Sequence, residues 1–188
     1  SESAFAERMN RTAAAMGMRN TTFRNAHGLT QNGHQSTARD MSILGRHVIY
    51  DFPQYYNLFS RRTADAGIAT VSHTNRRFLD NYEGADGIKT GYTRAAGFNL
   101  VASAQRGQER IIATIFGGRS TADRTRRIIE LMDMGFQRAP SNVQVREPQP
   151  PAANTVSTPN AAELVAGTTA ATNGGAGKTI RVSGIIRT

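Results

Sequence analysis

Lys89-Thr90-Gly91 sets an ammonium, a hydroxyl and a position without a side chain on three consecutive residues. The triplet lies inside Asp86-Gly87-Ile88-Lys89-Thr90-Gly91-Tyr92-Thr93 and is followed by the strand-like Gly97-Phe98-Asn99-Leu100-Val101-Ala102-Ser103-Ala104. Three residues recur by chance, and alone they read as an ordinary strand edge. Their weight depends on the surroundings. The remaining reactive side chains form no rival centre. His27, His34, His47 and His73 show no HxxxH or other tight ligand spacing, which argues against a zinc site. The absence of cysteine removes thiolate ligands and disulfides and leaves the redox compartment open. Asp40 and Asp123 stand where helices begin, so they read as capping residues rather than as a general acid–base pair. His27, before Gly28-Leu29, reads as a loop hydrogen-bonder. No serine-x-x-lysine exists: the chain has two lysines, and the residues three before them are Asp86 and Gly175.

The elements that must hold the triplet follow from the apolar period. Phe5, Met9, Ala13 and Met16 recur at helical spacing, and Gly17 is a natural stop. Residues 20–35 carry turn chemistry in Thr21-Thr22-Phe23, His27-Gly28-Leu29 and Asn32-Gly33, which predicts an ordered loop. Thr37 with Asp40 opens a second helix whose Met41, Leu44 and Val48 line one face. Asp51-Phe52-Pro53 ends it, and a short aromatic helix through Tyr55, Tyr56 and Phe59 follows. Residues 60–80 are polar and ambiguous, with room for one or two short strands. From Gly87 the period changes: residues 87–92, 97–105 and 109–117 read as three strands, the last two joined at Gln105-Arg106-Gly107-Gln108. Ile111, Ile112, Ala113, Ile115 and Phe116 are apolar on both faces, as in a central strand covered by helices on each side. Ser120 with Asp123 opens a last helix, with Ile128, Ile129, Leu131, Met132 and Phe136 inward and Gly135 near its end.

Composition bounds the partners. The 188 residues suffice for one domain with a real core. No apolar run approaches the roughly 18 residues of a membrane span. The first residues lack the basic start and apolar stretch of a signal peptide. The net charge is +9, and 21 of the 23 basic residues are arginine. Such a surface attracts nucleic acid, anionic membrane or a carboxylate-rich polymer. The arginines are scattered without interleaved aromatics, which reads as a solvated surface and not as a nucleic-acid track. Beyond Ala139 the sequence becomes rich in proline, alanine, threonine, asparagine and glycine, so residues 139–178 are expected to be a disordered linker. Residues 179–188 alternate enough for a strand, with no evident partner, as at the start of a further module.

Several segments together resemble a known family. They are Ser1-Glu2-Ser3-Ala4-Phe5 leading into Met9-Asn10, Gly17-Met18-Arg19-Asn20-Thr21-Thr22-Phe23, His27-Gly28-Leu29 and Ser36-Thr37-Ala38-Arg39-Asp40-Met41. The lysine-threonine-glycine run, Ala96 to Ala104, and Gly117-Gly118-Arg119-Ser120 complete the series. In this order and spacing, over residues 1 to about 138, the chain resembles the low-molecular-mass penicillin-binding proteins. These are serine-type D-alanyl-D-alanine carboxypeptidases that trim peptidoglycan stem peptides, with lysine-threonine-glycine as one of three active-site motifs. The resemblance implies an α/β (α+β) penicillin-recognising fold of the β-lactamase/transpeptidase type, an antiparallel sheet between helical layers, incomplete in this chain. Residues 1–138 are then the C-terminal part of the carboxypeptidase domain. The serine-x-x-lysine and serine-x-asparagine motifs are expected in a preceding part, and the chain is expected to be inactive alone.

What the resemblance implies for individual residues is electrostatic and positional. Lys89 would stabilise the terminal carboxylate of the substrate and bias the proton equilibria of the serine and lysine opposite. Thr90 would hydrogen-bond that carboxylate, and Gly91 would let the substrate backbone lie against the strand. The Tyr92 backbone N–H would be one oxyanion-hole donor, while its side chain sits where the family varies. Arg124 matches a family arginine that reaches the carboxylate. No metal or organic cofactor is needed, β-lactams would acylate the same serine, and the place of action is the bacterial cell envelope, periplasmic or extracytoplasmic. The amphipathic C-terminal anchor of several members has no counterpart here, so membrane attachment is not implied; oligomeric state is left open. Two rivals remain: a non-catalytic peptidoglycan-binding module with the same fold, and a basic nucleic-acid-binding protein.

Overall fold

Three antiparallel strands make the frame: β3 (Ala85–Thr93), β4 (Gly97–Arg106) and β5 (Glu109–Gly118). They extend the predicted strands by one or two residues at most ends. The computed structural model describes residues 1–140 and 144–152, and the backbone of 183–187. The linker expected over residues 139–178 falls largely outside the described residues. Along β5, Ile111, Ile112, Ala113, Thr114 and Ile115 are each 1% exposed or less, because helices cover both faces as the apolar run predicts. On one face Leu100, Ala102, Ala104, Ile111, Ala113 and Ile115 meet Ile128 and Met132 of α5 (Thr121–Arg138). On the other, Ile88, Val101 and Ile112 meet Ile49 of α2 (Ala38–Asp51). Each fully buried Leu, Ile or Met side chain among them contributes about 1.5–3 kcal/mol. The result is the expected antiparallel sheet between helical layers.

Both predicted helix starts hold. The Thr37 hydroxyl accepts from Asp40 N at 3.1 Å, and Ser120 accepts from Asp123 N at 3.0 Å. α1 (Glu2–Ala15) stops before Gly17, whose φ of +86° needs glycine. Its inner side is built from Ala6 and Ala13, while Phe5 is 52% exposed. α2 departs from expectation in a similar way. Its most buried residues include the small Ala38, Ser42 and Gly45, and a Cβ at Gly45 would stand 3.0 Å from Ile88 Cδ1. Close approach of helix to sheet selects small residues there, whereas Met41, Leu44 and Val48 line a groove of about 370 Å³ beside β3. Gly135 lies in the last turn of α5, and its role is contact: a Cβ would meet Ile111 Cγ2 at 2.7 Å.

The ambiguous stretch resolves into small pieces. α3 (Pro53–Tyr56) and a 3-10 turn (Asn57–Ser60) bring Tyr56 and Phe59 against the Ile88 cluster. β1 (Thr63–Asp65) and β2 (Thr70–Ser72) form a separate two-stranded sheet. α4 (Arg76–Asn81) was not predicted, because six residues with two buried side chains, Phe78 and Leu79, show no period. One expectation is corrected: the terminal strand has a partner. β6 (Ser183–Arg187) pairs antiparallel with β5 from Ile115↔Ser183 to Ile111↔Arg187, giving the order β3-β4-β5-β6.

Candidate active site

Among the described residues β3 is an edge of the sheet, so alternate main-chain groups along it have no strand partner there. Its register against β4 sets Lys89 opposite Val101, Thr90 opposite Leu100, Gly91 opposite Asn99 and Tyr92 opposite Phe98. The start of the strand is clamped. Asp86 accepts from Tyr56 Oη at 3.0 Å and from Arg110 at 2.7 Å, and Arg110 also donates to Ser103 Oγ at 2.7 Å. Burial, then the Asp86 charge, pushes the Tyr56 phenol well above its ordinary range, so it stays a neutral donor. Gly87 fits because a Cβ there would lie 2.5 Å from Tyr56 Oη.

Lys89, Thr90, Gly91, Tyr92 and Arg124 all line one cavity of about 710 Å³. Sequence reasoning named these five, and the fold brings them together. The Lys89 ammonium donates to the Thr90 carbonyl at 2.7 Å. Tyr92 is 58% exposed, with its ring centroid 4.4 Å from that of Phe98. Arg124 is only 5% exposed, and its Nε has no hydrogen-bond partner among the described residues. Burial lowers the Arg124 pKa, the sign of a guanidinium held without compensation. The neighbouring acid does not serve it. Asp123 accepts from Arg119 N at 3.0 Å and from Arg126 at 2.8 Å, which holds its carboxyl at about 2. Among the described residues no carboxylate lies within ion-pair distance of Lys89 or Arg124. The cleft therefore faces two cations without counter-ions. For Arg124, which is buried, such a charge is costly unless a ligand of opposite sign completes it.

The same cavity is walled by His27, Leu29 and Thr74. The loop that carries His27 and Leu29 is built from within. Asn25, 4% exposed, donates to the Leu29 carbonyl at 3.0 Å and accepts from Gly28 N at 2.8 Å. Asn10 grips Phe23 through both main-chain groups, and Asp40 accepts from Asn20 N and the Thr21 hydroxyl. His27 is a loop hydrogen-bonder as expected, its Nδ1 accepting from Leu29 N at 3.2 Å. Its place on the cavity wall was not foreseen. Thr74 was missed altogether: it precedes an unpredicted helix, and a lone threonine in a polar stretch carries no signal. The pKa of His73 beside it is lowered by burial and then by the Lys89 charge, both of which disfavour the protonated ring. Among the described residues no cluster of three or more His, Cys, Asp or Glu could hold a metal. Among them too, no helix is long and apolar enough to cross a membrane.

An antiparallel sheet between helices with a lysine-threonine-glycine edge strand is the arrangement of the penicillin-recognising fold. Comparison narrows the class. The D-alanyl-D-alanine carboxypeptidase family model matches residues 1–120. The chain is 39% identical over 137 residues to D-alanyl-D-alanine carboxypeptidase DacA of Escherichia coli, a match covering 73% of this chain and 34% of that protein. It is similar to the crystal structure of penicillin-binding protein 6B from Escherichia coli, with a TM-score of 0.68 and 35% identity. That match covers 73% of this chain and 43% of the other. A Listeria monocytogenes penicillin-binding protein in its cefotaxime-bound form gives a TM-score of 0.66 and 32% identity. It covers 71% of this chain and 56% of the other. The chain belongs to the D-alanyl-D-alanine carboxypeptidase family, and it spans about a third of the length of the curated relative it matches.

Proposed function

We propose that residues 1–138 form the carboxylate-binding wall of a serine-type D-alanyl-D-alanine carboxypeptidase acting on peptidoglycan stem peptides. The observation that carries this reading is the buried Arg124, whose Nε has no hydrogen-bond partner among the described residues, sharing a cavity with Lys89 and Thr90. A peptide ending in a free carboxylate completes that field, with bidentate geometry available at the guanidinium. The stem peptide adds to the free edge of β3 at Gly91, where a side-chain-free position admits its backbone. A serine hydroxyl attacks the penultimate D-alanine carbonyl, the amine of the terminal D-alanine leaves with a proton, and water releases the acyl group. The Tyr92 N–H stabilises the oxyanion, and Lys89 biases the proton equilibria opposite. The nucleophile in this scheme comes from polypeptide outside the 188 residues, since none of their serines precedes a lysine by three.

β-Lactams carry a carboxylate in the equivalent place and belong to the same site, which the cefotaxime-bound Listeria relative supports. The substrate sets the location in the bacterial cell envelope, outside the cytoplasm. Exposure to fluorescent penicillin tests the scheme: the chain alone stays unlabelled, and co-expression with polypeptide bearing serine-x-x-lysine and serine-x-asparagine restores labelling. Stoichiometric labelling of the chain alone would overturn the placement of the nucleophile. The lack of serine-x-x-lysine also fits a non-catalytic peptidoglycan-binding module, and failure of complementation with retained peptide binding is the outcome that favours it.

A further inference from the structure

We infer that Thr74 is a positioning residue that orients the Thr90 hydroxyl and thereby makes the cleft select a carboxylate over an amide; this rests on the carboxylate reading above. The Thr74 and Thr90 hydroxyl oxygens are 2.6 Å apart, and both residues line the cavity shared with Lys89 and Arg124. Thr90 is 9% exposed, so its hydroxyl has little access to bulk water. A hydroxyl has one proton and two lone pairs, whereas ammonium and guanidinium groups only donate. An anion held among these groups needs a proton from each of them. When Thr74 donates to Thr90, the single Thr90 proton is left to point into the cleft. The two hydroxyls then polarise in one direction, which strengthens the outer bond. A ligand amide would present its own N–H groups to a site already composed of donors.

The position of Thr74 is fixed on both sides. His73 N donates to the Arg62 carbonyl at 2.9 Å, and Arg62 is tied to Asp80 at 2.6 Å and to the Leu79 carbonyl at 2.6 Å. On the other side Asn75, 1% exposed, donates from its N to His73 Nδ1 at 2.9 Å. The Asn75 carbonyl accepts from Phe78 N and Leu79 N at the start of α4, and Phe78 is 1% exposed in the core. Arg62, Asp80 and Phe78 thus hold the exposed Thr74 beside Thr90 of β3.

The test compares wild type, Thr74→Val and Thr74→Ser in the full chain. Valine keeps the shape and removes the hydroxyl; serine keeps the hydroxyl. Three-bond couplings of labelled threonine give the Thr90 χ1 distribution without ligand: one rotamer in wild type and Thr74→Ser, averaging in Thr74→Val. Titration with N-acetyl-D-alanyl-D-alanine and its C-terminal amide then measures selectivity. Thr74→Val lowers the preference for the carboxylate about 3- to 10-fold, the range for loss of one hydrogen bond, and Thr74→Ser restores it to within about twofold. A single unchanged Thr90 rotamer and unchanged selectivity in Thr74→Val would overturn the inference. Absence of carboxylate preference in wild type is instead a failure of the functional reading, and the rotamer comparison decides the Thr74 contact separately.

Discussion

Replacing Arg124 by methionine separates a binding residue from a structural one, because the two roles predict opposite signs. Methionine keeps most of the aliphatic volume beside Gly118, whose absent Cβ would lie 3.2 Å from Arg124 Cβ. In the free protein the guanidinium is buried and its Nε unsatisfied. A buried donor without a partner costs about 1–3 kcal/mol, so removing it should stabilise the fold by something near the lower figure after lost contacts are counted. For a domain of this size about 1 kcal/mol raises Tm by roughly 2–4 °C. The same substitution removes a charge-assisted bond to the ligand carboxylate worth about 1.5–3 kcal/mol, which is about 10- to 150-fold in affinity. Thermal unfolding of the free chain and titration with N-acetyl-D-alanyl-D-alanine read the two effects independently. A variant that melts lower and binds the peptide as wild type does would refute the reasoning, for Arg124 would then be a packing residue.

Two further perturbations test the scaffold. Gly135→Ala gains up to about 1 kcal/mol of helix propensity, yet its Cβ would stand 2.7 Å from Ile111 Cγ2 beneath α5. Overpacking of that kind costs about 1–3 kcal/mol, so a lower denaturant midpoint is expected and a higher one would show that α5 moves freely. Asp123 has its pKa lowered from 3.8 to about 2, first by the Arg119 main-chain N–H and then by Arg119 and Arg126 side chains. A depressed carboxyl stabilises the fold above its unfolded value and loses that contribution as pH falls from about 4 through about 2. Asp123→Asn should flatten the acid limb of a stability–pH profile in that window; an unchanged profile would remove Asp123 as its source.

The legible parts of this sequence were those whose signal is local and repeated. Strand alternation from residue 87, the two hydroxyl N-caps at Thr37 and Ser120 and the doubly apolar run at 111–116 each state their structure within a few residues. Lys89, Thr90, Gly91, Tyr92 and Arg124 were legible as a set only through family likeness, since no spacing rule joins residue 92 to residue 124. What stayed hidden was decided by partners far away in sequence. Met41, Leu44 and Val48 look like an inner face, but small Ala38, Ser42 and Gly45 take the sheet because backbone approach matters more than hydrophobicity there. Thr74 gains meaning only from Thr90, sixteen positions on, through one contact between hydroxyls.

The two edges of the sheet explain why the cleft lies where it does. A strand edge offers unpaired N–H and C=O groups, and a long uncharged one invites unwanted pairing. From Ile111 to Phe116 β5 carries neither charge nor proline, and its outer edge is taken by β6. Among the described residues β3 has no such cover. Its edge instead carries an exposed Lys89 and is bounded by the loop of His27 and Leu29 and the strap of Thr74. The lysine discourages another apolar strand, while in the proposed function its charge and that of the buried Arg124 in the same cavity would favour an extended segment ending in a carboxylate. On the proposed reading, the same positive field would both guard the edge against promiscuous pairing and select the kind of strand that the reaction requires.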